Sequence, residues 1–252
     1  MLTSNNKTIL VFSDPHLQID KLNKILSTET YDIAVCLGDW FDSFYYDNIT
    51  NLEKTCTFLK EWLFKSNFYT CIGNHDIHYL YDNPYVMCSG FRMVKNDFIR
   101  KCLGDKIGEI RDRFLWYIWI DNYLCSHAGL NAYHFKPRME INKQSISTWL
   151  DKEISQAEVN LKSNQSHWLY GAGEARYGPE KFGGIIWQDF NHEFKPIDGL
   201  NQIVGHTYHS SVVCDPPESD PSLAKNLDID CTLNQYLIIK DGKLQVKSYS
   251  SL

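Results

Sequence analysis

The sequence predicts an α/β fold: a central mixed, two-layered β-sheet flanked by helices. Three observations carry this. Apolar runs alternate with helical patterns in the N-terminal half, giving a β-α-β unit and a parallel strand pair. Those runs lack polar alternation and close on glycine, as buried parallel strands do. From Phe114 onward the chain carries two tight-turn signals, Asp121-Asn122 and Asp241-Gly242, which mark antiparallel hairpins.

Lys7–Phe12 (KTILVF) is the first strand and ends in Ser13-Asp14-Pro15-His16. A first helix runs from about Asp20 to Thr28. Ile33–Leu37 follows as a strand within IAVCLGDWFD, closed by Gly38 and followed by Asp39 and Asp42. Leu52, Phe58, Leu59, Trp62, Leu63 and Phe64 give the span Asn51–Lys65 a broad apolar helical face. Phe68–Ile72 is the third strand and closes on Gly73-Asn74-His75-Asp76. The stretch from Tyr79 to Gly104 has no clear period and reads as irregular, with one or two helical turns.

Phe114–Ile120 and Tyr123–Cys125 read as two strands, the second ending in Ser126-His127-Ala128-Gly129. Ser145–Leu161 is a helix. Gly171–Gly184 holds five of the chain's 14 glycines and is a loop that crosses something closely. Ile185-Ile186-Trp187 is a short buried piece. Asn201–Val204 is a strand ending in Gly205-His206-Thr207, and Val212–Cys214, Tyr236–Lys240 and Leu244–Ser248 are three more. Asp215–Pro221 is a surface loop. With no repeat, low-complexity run or linker, the expectation is a single domain, 1–252.

The composition narrows the function classes. Apolar residues make up 43% and charged residues 22%, as in an ordinary globular protein. A net charge of −6 without a basic run gives no electrostatic footprint for nucleic acid or an anionic membrane. No apolar stretch approaches the roughly 20 residues that span a bilayer. The N-terminal MLTSNNKTIL has no signal-peptide pattern, so the expected location is cytoplasmic. The eight cysteines include no C-x-x-C pair and read as reduced core thiols.

Taken singly, the polar strand ends have plain explanations. Gly38-Asp39 could be an Asx-capped turn, and Asp14, Asp42 and His75 could cap helices. Together they form an ordered set: D14-x-H16, G38-D39-x-x-D42, G73-N74-H75-D76, H127-A-G129 and G205-H206-T207. Each sits just past a strand, where α/β sheets gather ligands. Carboxylate, imidazole and amide oxygens suit Mn²⁺, Fe, Zn²⁺ or Mg²⁺.

In order and spacing this set resembles the calcineurin-like metallophosphoesterase superfamily. Within it, GGIIWQDF and GLNQIVGHT are similar to the bacterial and phage Ser/Thr-phosphatase branch, over about Lys7 to Tyr249. The resemblance implies a phosphatase with two divalent metal ions, manganese foremost. Asp14 and His16 would hold the first ion, Asp39 would bridge, and Asn74, His127 and His206 would complete the second. It implies attack on phosphorus by a metal-bridging hydroxide, with His75 as general acid oriented by Asp42. Arg176 and Asn74 would contact the phosphate.

The branch usually has arginine after the second aspartate, where this chain has Ser43. That leaves the substrate open among phosphoproteins, nucleotides and small phosphoesters. A nucleotide phosphohydrolase of the diadenosine-polyphosphate type, a phosphodiesterase and a non-catalytic metal-stabilised module are the alternatives. The wider superfamily's G-H-x-H ending is also altered: Tyr208 takes the last position and His209 follows one place late. His209 would reach the metals only across a strand bulge. His78, His134, His167 and His192 read as surface or packing residues.

Overall fold

The computed structural model describes residues 1–135, 140–217, 220, 223 and 225–252. Part of the expected Asp215–Pro221 loop lies outside the described residues. Among the described residues eleven strands form two sheets. In the first, β1 (Thr8–Phe12), β2 (Ile33–Cys36), β3 (Phe68–Cys71) and β4 (Phe114–Leu115) run parallel. The hairpin of β10 (Gln235–Lys240) and β11 (Lys243–Ser248) adds antiparallel to β1. In the second, β5 (Ile118–Ile120) pairs antiparallel with β6 (Tyr123–Cys125). β6, β7 (Asn201–Val204) and β9 (Asn226–Asp228) are parallel, and β8 (Val213–Cys214) is antiparallel to β9.

Strand periodicity of two sorts the core. Ile9, Val11, Ile33, Val35 and Leu37 cluster with Ile118, Ile120, Cys125, Ile203 and Leu227 between the sheets. The alternate residues Leu10, Phe12, Ala34 and Cys36 join the helix-side core. There they meet α1 (Ile19–Thr28) and α2 (Ile49–Trp62) through Leu22, Ile25, Leu52 and Leu59. Both faces of β1 and β2 are therefore apolar, which is why their sequences do not alternate. All eight cysteines are free, six of them buried.

Four features depart from the sequence expectations. Phe114–Ile120 is not one strand: the chain leaves the first sheet after Leu115 and enters the second at Ile118. The irregular stretch holds α4 (Met93–Leu103), whose polar sequence buries only Lys95, Ile99 and Leu103. The second sheet has a parallel centre, because the long excursion carrying α6 (Lys143–Lys162) lets β7 return beside β6 in the same direction. β9, Asn-Leu-Asp, has weak strand propensity and is ordered by its pairing with β7. Among the described residues no helix is long and apolar enough to cross a membrane.

Candidate active site

The carboxyl ends of the parallel strands of both sheets converge on one crevice. β1 leads to Asp14 and His16, β2 to Asp39 and Asp42, and β3 to α3 (Asn74–Leu80), which begins with Asn74 and His75. From the second sheet, β6 leads to His127 and β7 to His206. The chain bends sharply here: Asp14, His16, Asp39, Asp42 and His206 all have positive φ, from 41° to 73°. Such backbone strain collects where side chains must be aimed at one point. Two motif glycines are steric necessities. A Cβ on Gly73 would lie 2.1 Å from Asp39 Oδ1, and one on Gly205 would lie 1.9 Å from Ser13 Oγ.

Asp39 is the shared element. Its Oδ2 lies 3.7 Å from His16 Nε2 and 3.4 Å from His127 Nε2. Asp14 Oδ1 is also 3.7 Å from His16 Nε2. His127 Nε2 is 3.0 Å from Asn74 Oδ1 and 3.2 Å from His206 Nδ1. Two triads result, Asp14/His16/Asp39 and Asp39/His127/His206, each with ligand atoms within 4.8 Å of one another.

Backbone carbonyls set the ring orientations. His127 Nδ1 lies 3.0 Å from Leu37 O and His16 Nδ1 3.0 Å from Asp42 O. A carbonyl oxygen only accepts, so Nδ1 carries the proton and Nε2 is turned toward Asp39. Asp76, present in the motif without an assigned role, ties the loops together. Its carboxylate accepts from the backbone N–H of Asp39, Trp40 and Gly73 at 2.8–2.9 Å.

The donor set fits divalent metal ions. Asp14 Oδ1 and His206 Nε2 are buried without a hydrogen-bond partner. Burial, then the nearby Asp230 carboxylate, pushes the Asp14 carboxyl up to about 8. Burial works to raise Asp39 as well, yet His127, His75 and His16 hold it well below the carboxylate range. Unpartnered ligand atoms thus gather around a shared carboxylate, the condition a metal ion relieves. In chelator-treated protein at neutral pH, Asp14→Asn is expected to raise Tm, since the amide avoids the cost of holding a buried carboxyl protonated well above its ordinary range. Manganese should stabilise the wild type more than this variant, and thermal scans with and without metal check both.

Beside the triads, His75 Nδ1 lies 3.0 Å from Asp42 Oδ2. The Asp42 carboxylate is held by three further groups. His78 Nε2 lies 3.1 Å from Oδ2, Tyr79 donates its hydroxyl to Oδ1 at 2.7 Å, and Lys95 Nζ donates to Oδ1 as well. Although burial opposes it, these contacts, with His75 and His78 foremost, keep Asp42 ionised far below the usual range. Lys95→Met, which takes the lysine ammonium from a buried carboxylate that keeps His75, His78 and Tyr79, is expected to cost about 3 kcal/mol of stability, read from denaturant unfolding.

The sequence profile of the Calcineurin-like phosphoesterase family matches residues 7–217. The chain belongs to that family. Among solved structures, the cold-active protein-tyrosine phosphatase of the psychrophile Shewanella sp. is 17% identical with a TM-score of 0.59, the match covering 99% of this chain and 80% of that one. A protein serine/threonine phosphatase from Saccharomyces cerevisiae is 14% identical at 0.54, covering 98% and 82%. A metallophosphoesterase from Sphaerobacter thermophilus is 11% identical at 0.50, covering 96% and 87%. At these identities the likeness is one of fold. Comparison with curated protein sequences gives no match.

In this calcineurin-like phosphoesterase the residue after Asp42 is Ser43 and not arginine. Ser43 caps a turn, its Oγ accepting from the backbone N–H of Tyr45 and Tyr46 at 3.3 and 3.1 Å. This leaves Phe44 and Tyr45 each 90% exposed. Arg176, on the glycine-rich loop, pairs with Asp189 at 2.9 Å and donates to Thr207 Oγ1 at 3.3 Å, one residue from His206. The loop is pinned by Glu193, which accepts from the backbone N–H of Ala175 and Gly183.

His209 stays outside both triads, its Nε2 3.7 Å from Asp228 Oδ2. His134 stacks on Trp168, His167 caps the turn at Leu169 and His192 is exposed beside Asp189. His78 is a packing histidine, fully buried and edge-on to Tyr79 and Phe91, and its Nε2 also reaches Asp42. Neither it nor Lys95 lies at a strand end, so no strand-terminus motif marks them. The i+3 spacing of His75 and His78 on α3 was the one available signal.

Proposed function

We propose that this phosphoesterase is a dinuclear-metal phosphomonoesterase with Asp39 as the bridging ligand. The observation that carries the reading is the Asp39 carboxylate shared by two ligand triads. Asp14, His16 and Asp39 would hold one ion. Asp39, Asn74, His127 and His206 would hold the other. What such a pair supplies when bound is acidified water and neutralisation of charge on the phosphoryl oxygens.

The protein's own part is proton transfer and positioning. His75 delivers a proton to the leaving oxygen, and Asp42 fixes the imidazole and stabilises its cation. Asp42 can do so because Lys95, Tyr79 and His78 keep it ionised and immobile. Arg176 steers the phosphate from the His206 side, already held in place by Asp189 and Thr207. Arg176→Ala is expected to raise KM about 10-fold with a smaller effect on kcat, measured by steady-state kinetics on a monoester.

Turnover of p-nitrophenyl phosphate by purified protein with Mn²⁺, Fe²⁺, Zn²⁺ or Mg²⁺ tests the reading. No turnover with metal demonstrably bound would refute it. The exposed Phe44 and Tyr45 beside Ser43 favour a second reading, in which a planar base stacks there and the substrate is a nucleotide. A kcat/KM for dinucleoside polyphosphates above that for simple monoesters would favour it.

A further inference from the structure

Three ligating side chains meet next to the proposed centre in a combination that the mechanism does not use: His75, His78 and Cys88. One ligand atom of each lies within 4.8 Å of the others. Cys88 Sγ is 3.3 Å from His78 Nδ1 and 3.9 Å from His75 Nδ1. With Zn–S about 2.3 Å and Zn–N about 2.0–2.1 Å, ligand atoms of a tetrahedral zinc site lie roughly 3.3–3.6 Å apart. The two sulfur–nitrogen separations, 3.3 and 3.9 Å, therefore lie within a few tenths of an ångström of that range.

The buried member is pre-oriented. His78 places Nε2 against Asp42 Oδ2 at 3.1 Å and turns Nδ1 to the sulfur, as in a carboxylate–histidine–metal arrangement. Cys88 is half-buried and the His75 side chain is 14% exposed, so the cluster is open to an ion from solvent. A thiolate with two imidazoles is also a softer set than the carboxylate-rich triads, and selects zinc over manganese or magnesium.

We propose that His75, His78 and Cys88 form a separate zinc site whose occupancy switches the enzyme off. Zinc binding would release the Cys88 thiol proton to solvent, and His75 would bind through Nδ1 as the neutral Nε2–H imidazole, its Nδ1 proton lost from the imidazolium or moved through solvent to Nε2. The His75 imidazole would then leave Asp42 for the metal and could no longer act as the acid. The inhibition rests on the role given to His75 above; the zinc site itself does not.

Cobalt is the probe, because Co²⁺ bound to a thiolate gives a near-ultraviolet charge-transfer band that carboxylate, imidazole and amide ligands cannot. Adding Co²⁺ to the metal-loaded wild type is expected to produce the band, and Zn²⁺ to abolish it. Cys88→Ser and Cys88→Ala should lack it. Zn²⁺ should inhibit the manganese-loaded wild type, and Cys88→Ser should need at least about 10-fold more zinc for half-inhibition. No band in the wild type, or a band retained in both variants, would overturn the site. A zinc-quenched band without inhibition would overturn the switch. If no phosphoester is turned over at all, the catalytic reading fails, and the band still decides the site.

Discussion

The His75→Asn protein is expected to keep its full complement of metal and to lose about 10²–10⁴-fold in kcat on an alkyl phosphate. The Asp39 contact survives the substitution, because the backbone N–H of residue 75 makes it, at 2.9 Å from Oδ1. What disappears is the imidazole whose Nδ1 lies 3.0 Å from Asp42 Oδ2. An alkoxide cannot leave without a proton, whereas p-nitrophenolate can. The loss on p-nitrophenyl phosphate should therefore be much smaller, with KM nearly unchanged on both substrates. Equal losses on the two esters would assign His75 another role.

The second large effect belongs to Asp39→Asn. An amide has the same shape and can still accept from the His75 N–H, but it offers one neutral oxygen where two triads need an anion. Activity should fall at least about 10³-fold, with metal binding lost as well. The stabilisation that manganese confers should vanish in parallel. An ion at about 1,000 times its Kd contributes about 4 kcal/mol, so the wild type should gain visibly in Tm on loading and the variant should not. An Asp39→Asn protein that still gains Tm with manganese would place the metals elsewhere.

Most of the fold and the triads could be read from the sequence because they rest on local signals. Gly38, Gly73 and Gly205 end parallel strands, and the polar residues after them gather at the sheet's carboxyl edge. Asn201–Val204 and the Asp241-Gly242 turn have the expected bounds, the latter closing Lys240 on Lys243. The misses are tertiary. Nothing local tells Trp116 to change sheets, since both halves of FLWYIWI suit a strand equally. Asn226–Asp228 becomes a strand only because β7 offers it an edge.

At the site the divide is the same. Asp39 and His127 could be read from their strand ends. Lys95 reaches Asp42 from α4, 53 positions along the chain, and no sequence period links the two. Asp230, buried beside Asp14, follows the strand that was not foreseen. Arg176 could be read as a loop arginine, but its orientation depends on Asp189 and Thr207, which the sequence does not bring together.

In the proposed centre Asp39 would be shared by two metal ions. Metal analysis of protein reconstituted with manganese and freed of excess ion tests it most directly. The wild type should retain about two ions per chain, and Asp39→Asn fewer than about one. A single ion per chain in the wild type, or two retained by Asp39→Asn, would contradict it.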